Sequence, residues 1–153
     1  MEEKYMKEAL REAYDGIRLG HGGPFGSVIV KEGEIIGRGH NCVIRDNDPT
    51  MHGEVAAIRD ACKKINSFDL SGSEIYTTAE PCPMCLGALL WAGVKTIYYG
   101  CNRHDTEQIG FRDNVFYEMM EDTGSTNRLV ELDRVSCKEL FDSYQKMNDK
   151  VMY

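Results

Sequence analysis

The chain reads as an α/β protein: a three-layer α/β/α sandwich around a mixed sheet of five strands. Three observations predict that class. A helix-period segment at the N-terminus runs into a hairpin pattern, which supplies antiparallel strands. A strand, helix, strand succession in the middle of the chain matches a right-handed parallel crossover, so the sheet is mixed. Enough further helical sequence remains to cover both faces of that sheet.

Taken in order, residues 2–19 place Tyr5/Met6, Ala9/Leu10, Ala13/Tyr14 and Ile17 at helical spacing with charges between them, so one face docks on a core. Gly20 to Gly23 end the helix. Residues 26–31 read as a strand, Glu32-Gly33 as a tight turn, and 34–44 as the hairpin partner. The segment Asp46-Asn47-Asp48-Pro49-Thr50 is a loop of turn formers, with Thr50 the predicted N-cap of a helix over 51–65. In that helix Val55, Ala56, Ile58, Ala61 and Cys62 are the apolar positions, and His52 and Glu54 fall in the first turn.

Residues 74–79 are rich in β-branched and aromatic side chains and predict a strand. Two prolines follow it and open a helix that runs to about residue 92, where Gly93 closes it. Residues 95–100 form the next strand. Beyond Cys101 the pattern predicts a loop to Gly110, a short helix over 114–121, a fifth strand over 128–132 and a last helix over 136–150.

With 153 residues the expectation is one domain spanning 1–153. Apolar residues make up 42% and charged residues 28%, a balance that excludes disorder. The charged start, Met1-Glu2-Glu3-Lys4, does not read as a signal peptide, and no run of about eighteen apolar residues would span a bilayer. The expected compartment is the cytoplasm, where a Cys-x-x-Cys pair suggests metal or redox chemistry sooner than a structural disulfide. A formal charge of −7 and a longest basic run of only Lys63-Lys64 argue against binding a long polyanion.

Chemistry concentrates in Pro81-Cys82-Pro83-Met84-Cys85 and His52-Gly53-Glu54. Two cysteines three positions apart at a helix start can place both sulfurs on one small ion, and a histidine from a second helix start adds a third ligand. One zinc ion per chain held by His52, Cys82 and Cys85 keeps a fourth position open for water, whose pKa the metal lowers toward neutrality. Glu54, two residues after the histidine, is the expected proton carrier. Helix N-termini favour the thiolate form of Cys82 and Cys85. The competing readings are a thioredoxin-like redox pair, a closed structural zinc site completed by Cys101 or His104, and a pair that is merely buried. Cys42, Cys62, Cys101 and Cys137 read as packed small hydrophobes, and His21 and His40 as surface or satisfied histidines.

A His-x-Glu followed by Pro-Cys-x-x-Cys is the known signature of zinc nucleobase deaminases. Over nearly its whole length the chain resembles the bacterial guanine deaminases of the cytidine/deoxycytidylate deaminase superfamily. The matching stretches are Gly22-Gly23-Pro24-Phe25-Gly26, Asn41, Asn47-Asp48-Pro49-Thr50, His52-x-Glu54-Val55, Glu80-Pro81-Cys82-Pro83-Met84-Cys85-Leu86-Gly87-Ala88, Trp91-Ala92, Gly110-Phe111 with Asp113, and the final Tyr153. The resemblance implies a cytidine-deaminase-like fold, zinc on His52, Cys82 and Cys85, and Glu54 as proton shuttle. It also implies a base pocket of Phe25, Asn41, Trp91, Asp113 and Tyr153, and hydrolysis of guanine to xanthine and ammonia. A tRNA adenosine deaminase would be expected to carry a basic final helix; here Lys138, Lys146 and Lys150 are balanced by Glu139, Asp142 and Asp149.

The alternatives within the same chemistry are another amino-heterocycle (guanosine, cytosine or a triazine amine) and the adenosine of a tRNA; a zinc-stabilised module without catalysis stands outside it. Two departures from the family pattern are Gly53, where alanine is usual, and the poorly matching segment 122–134. The resemblance further implies a homodimer whose C-terminal segment can be exchanged between subunits, with no membrane partner.

Overall fold

A computed structural model describes residues 3–121 and 130–153. Helix α1 (Glu3–Arg18) leads into the hairpin of β1 (Gly26–Lys31) and β2 (Glu34–His40), and a four-residue helix α2 (Val43–Asp46) follows. Next come α3 (Gly53–Ile65), β3 (Ser73–Ala79), α4 (Pro83–Trp91) and β4 (Thr96–Cys101). The chain continues with α5 (Arg103–Gln108), α6 (Asp113–Glu121) and α7 (Arg134–Gln145).

The sheet runs in the order β2-β1-β3-β4. β1 is antiparallel to both β2 and β3, while β3 and β4 are parallel and joined through α4. The mixed sheet is therefore as expected, but the described residues contain four strands and not five. The predicted strand over 128–132 lies partly outside the described residues. Residues 130–132 form no strand, and Val130 and Leu132 are exposed. Alternating apolar residues signal a strand only where one face is buried, and here that burial is missing.

Alternation along the strands divides the core. Val28, Val30 and Tyr76 face α1 and pack with Tyr5 and Ala9, whereas Ile29 and Ile75 face the other way and pack with Ala57, Ala61 and Leu89. Helices thus lie on both faces. On the second face α3 sits directly on β2, because a Cβ at Gly39 would stand 2.4 Å from the backbone nitrogen of Ala57. That close seat fixes the first turn of α3 over the end of the sheet.

Other boundaries moved for local reasons. β2 stops at His40 because the backbone N–H of Asn41 turns back to the Phe25 carbonyl and that of Cys42 to Met51. The predicted cap Thr50 instead gives its hydroxyl to Asp48, and His52 holds the N-cap position without a side-chain capping bond. The expected loop after Cys101 contains α5, opened by a reciprocal capping box between Asn102 and Asp105. The last helix ends at Gln145, five residues short of the expectation.

Candidate active site

The sheet brings two helix starts together. His52 is the N-cap of α3 and Cys82 the N-cap of α4, and both have extended backbone, so their side chains project from the ends of neighbouring elements. Cys85 lies in the first turn of α4 and is fully buried. The His52 Nδ1 atom lies 3.6 Å from Cys82 Sγ and 3.5 Å from Cys85 Sγ.

Those separations fit a zinc ion. Tetrahedral zinc with sulfur near 2.3 Å and nitrogen near 2.0–2.1 Å sets N and S about 3.6 Å apart. The protonation pattern fits as well. Cys82 is held down at about 4, chiefly by the hydrogen bond from Cys85 and further by His52, while Cys85 is pushed up by the same bond and by burial. Hydrogen bonding to Cys82 likewise raises the His52 imidazole against the effect of burial. A cation held by these three groups would take the place of the proton-mediated contacts between them. Among the described residues neither Cys101 nor His104 belongs to this group of ligands, and both are exposed.

Glu54 is 6% exposed, and burial raises its carboxyl above the ordinary glutamate value. It is steadied by a chain of hydroxyls from the sheet: Ser27 Oγ donates to Thr77 Oγ1 at 2.9 Å, and Thr77 Oγ1 donates to Glu54 Oε1 at 3.4 Å. Gly53 belongs to this contact. A Cβ there would lie 3.1 Å from the Phe25 carbonyl oxygen, so glycine lets the first turn of α3 settle close to β1. The substitution that lowers helix propensity is thus matched by a tighter seat.

A cavity of about 450 Å³ opens beside these groups, lined by Phe25, Asn41, His52, Glu54, Cys82, Phe111 and Asp113 among others. Asn41 is 5% exposed, and its Oδ1 accepts the Val43 N–H at 3.1 Å. With the carbonyl committed, the amide NH₂ is left to donate to a ligand. Phe25 and Phe111 meet edge to face at 4.8 Å and form an apolar wall. Asp113 opens α6 at the rim, where burial first, and the Cys82 charge second, raise its carboxyl.

Trp91 and Tyr153 are elsewhere. Trp91 ends α4, two turns beyond Cys85, and is 74% exposed; Tyr153 is 82% exposed, and their rings lie 6.1 Å apart. Within one chain neither lines the cavity. The structure brings together Phe25, Asn41 and Asp113 with the metal group and leaves these two aromatic residues on a separate face.

Further contributors went unread in the sequence. Thr77 and Ser27 looked like ordinary strand residues. Tyr117 donates its hydroxyl to the Pro81 carbonyl at 2.6 Å, Arg103 lies over its ring at 4.4 Å, and Arg103 Nε reaches Glu80 Oε1 at 3.3 Å. This brace fixes the backbone just before Cys82. Its only sequence signal was the aromatic position in a helix following the motif.

His52, Cys82 and Cys85 could hold one metal ion, and a buried carboxylate stands beside them, the donor set that a hydrolytic zinc centre uses. Residues 1–101 match the model of the cytidine and deoxycytidylate deaminase zinc-binding region. The chain belongs to the cytidine and deoxycytidylate deaminase family.

A guanine deaminase from Bacillus subtilis is 42% identical over 143 residues, covering 94% of this chain and 91% of its own. An X-ray structure of guanine deaminase from that species superposes with a TM-score of 0.94 at 38% identity, over 100% of this chain and 99% of the other. A tRNA-specific adenosine deaminase from Aquifex aeolicus is 44% identical over 97 residues, covering 63% of this chain and 64% of its own. Related solved structures hold 2,6-diaminopurine or 8-azaguanine.

Proposed function

We propose that this protein is a zinc-dependent guanine deaminase that hydrolyses the free base to xanthine and ammonia. The observation that carries the reading is the full-length match to a guanine deaminase, which extends past the shared zinc-binding region into α6 and the C-terminal segment. The cavity's polar equipment agrees with it. The Asn41 amide can donate to the O6 and N7 edge of guanine, and Asp113 can accept from ring N–H groups. Phe25 with Phe111 would bound the flat ring.

Zinc held by His52, Cys82 and Cys85 supplies a Lewis acid that makes water nucleophilic near neutral pH. Glu54 takes the proton released as water attacks C2 and delivers it to the adjacent ring nitrogen. The carboxylate then takes the remaining proton from the new C2 hydroxyl and passes it to the amine, which leaves as ammonia as the C2–N bond breaks and the C2 carbonyl forms. The Thr77 hydroxyl keeps the carboxylate aimed while it alternates between charged and neutral forms.

The same reading takes residues 1–153 as one deaminase domain that works as a cytoplasmic homodimer with the C-terminal segment exchanged. Its support is α7, which among the described residues packs extensively on no other element and leaves Leu140 and Phe141 exposed. In such a dimer Trp91 and Tyr153 would close a pocket of the partner subunit. No described helix is long and apolar enough to cross a membrane.

The tRNA alternative draws on relatives that match from 63% to 85% of the chain, at 44% and 36% identity, against 94% at 42% identity for the guanine deaminase. In α7 Lys138 pairs with Asp142, and beyond it Lys150 donates to the Gln145 and Met147 carbonyls, so these cations are engaged within the chain. Turnover of guanine, guanosine, cytosine, adenine and a tRNA anticodon stem-loop, measured side by side as ammonia release, tests the proposal. Guanine is expected to react fastest. No turnover of guanine with clear turnover of another amine would overturn the substrate while leaving the zinc chemistry intact.

A further inference from the structure

A second group of metal-type donors lies where β2 ends, beside the cavity but apart from the first trio. One ring nitrogen each from His21 and His40 and the sulfur of Cys42 come within 4.8 Å of one another. His21 Nδ1 faces His40 Nε2 at 2.8 Å, and the two rings stack at 19°. On its far side His40 Nδ1 lies 3.1 Å from Glu12 Oε2 of α1. The ring has no room to turn away from this arrangement's α1 wall, since a Cβ at Gly16 would stand 2.7 Å from His40 Cδ2.

The protonation logic follows from the carboxylate. An ionised Glu12 can only accept, so His40 donates Nδ1–H and keeps Nε2 as a lone pair. A histidine whose second nitrogen is tied to a carboxylate is the usual dress of a metal ligand. His21 must then donate Nδ1–H to His40, and a cation replaces that contact once His21 shifts its proton to Nε2. Cys42 is buried, and burial raises its thiol; on binding it loses its proton to solvent, so one proton is released per ion.

We propose that His21, His40 and Cys42 form a second binding site for a borderline-soft divalent cation of the zinc class, with Glu12 orienting His40. The N₂S donor set selects zinc, cobalt or copper over magnesium and calcium, which take oxygen ligands. Two nitrogens on one tetrahedral zinc stand about 3.3 Å apart, so the facing rings must part by about half an ångström. His21 sits in the glycine turn between α1 and β1 and can supply that movement. The site is separate from the catalytic trio, but Asn41 adjoins it in sequence, and Gly22 follows His21 into the base cavity.

The test uses full-length protein with its resident zinc in place, dialysed against added Zn²⁺ or Co²⁺ and analysed by atomic emission. Two ions per chain are expected. With Co²⁺ the second equivalent brings a thiolate-to-metal absorption band in the near ultraviolet. His21→Ala and Cys42→Ser should each return to one ion per chain and lose that band, with thermal melting confirming that they fold. Glu12→Gln should retain both ions with second-site affinity lowered about 10–100-fold.

A stoichiometry of one in the wild-type protein overturns the proposal. So does a second ion whose binding and band persist in both ligand variants, because that result assigns the added metal to other groups. Should Cys42→Ser fail to fold, His21→Ala decides alone, since its ring lies in a surface turn.

Discussion

The starts of α3 and α4 and the whole of α7 are opposite cases of the same rule. Around His52, Cys82 and Cys85 each element is held by several others: the hydroxyls of β1 and β3 reach Glu54, and Tyr117 grips Pro81. In α7, by contrast, Phe141 is 68% exposed, and among the described residues no other element packs extensively against the helix. Polar groups that must be aimed are surrounded, while an apolar stripe stands unpartnered. The difference teaches that packing within one chain suffices to hold His52, Cys82, Cys85 and Glu54 in place, whereas α7 leaves its apolar side chains exposed, the feature on which the proposed dimer rests.

The contrast breaks most sharply at the metal. Stripping zinc with a chelator, or replacing Cys85 by serine, should reduce ammonia release to background and lower the unfolding temperature. Glu54→Gln should retain zinc by elemental analysis and still lose about 10²–10⁴-fold in kcat. Deleting residues 134–153 addresses the other region. The remaining core should keep one zinc per chain and sediment as a monomer, with guanine turnover lost; a fully active monomer would remove the case for shared sites. The milder Phe141→Asp should weaken self-association at least about tenfold, given about 1.5–3 kcal/mol for burying a phenylalanine.

Thr77→Val comes next. It removes the one hydroxyl donated to the Glu54 side chain and should lower kcat about tenfold, in line with about 1.5–3 kcal/mol for a hydrogen bond to a charged group. Zinc content should not change. The smallest effect belongs to Gly53→Ala, where a new methyl group meets the Phe25 carbonyl while helix propensity improves. These oppose each other, and the melting temperature should move by the equivalent of less than about 1 kcal/mol. A larger loss would mean that the seat of α3 on β1 is less able to yield than its geometry indicates.

Sequence and structure part company along the same divide. Metal ligands were legible because coordination chemistry restricts both residue type and spacing, so few residues carry the message. The helices were legible because burial on one face imposes a period, and the central strands because burial on both faces leaves a short run rich in β-branched residues. Thr77 was not, since a threonine in a strand is explained by its β-branched shape before its hydroxyl is considered. The end of β2 was misread because Val43 and Ile44 suit a strand, and only the long-range contact from Cys42 to Met51 bends the chain there. α5 carried its signal in the Asn102 and Asp105 pair, a capping box outweighed by the absence of an apolar period. The strand expected near residue 130 shows the limit of pattern alone, for Val130 and Leu132 alternate as strand residues do and yet stand exposed, outside the sheet. Likewise Trp91 and Tyr153 matched a family motif, and a motif does not say which chain's pocket a side chain serves.

The placement of β1 between β2 and β3 has a consequence for how the protein matures. Ser27 and Thr77 meet across 50 residues of chain, and the ion's histidine and sulfurs arrive on segments that only this pairing draws together. A ribosome that has delivered the first 79 residues has made no sulfur ligand, and nothing yet spans the gap. Long-distance pairing of this kind forms late. Metal capture is then a final inspection: a chain that has mispaired its strands cannot load the cation, and so cannot become a wrongly built catalyst.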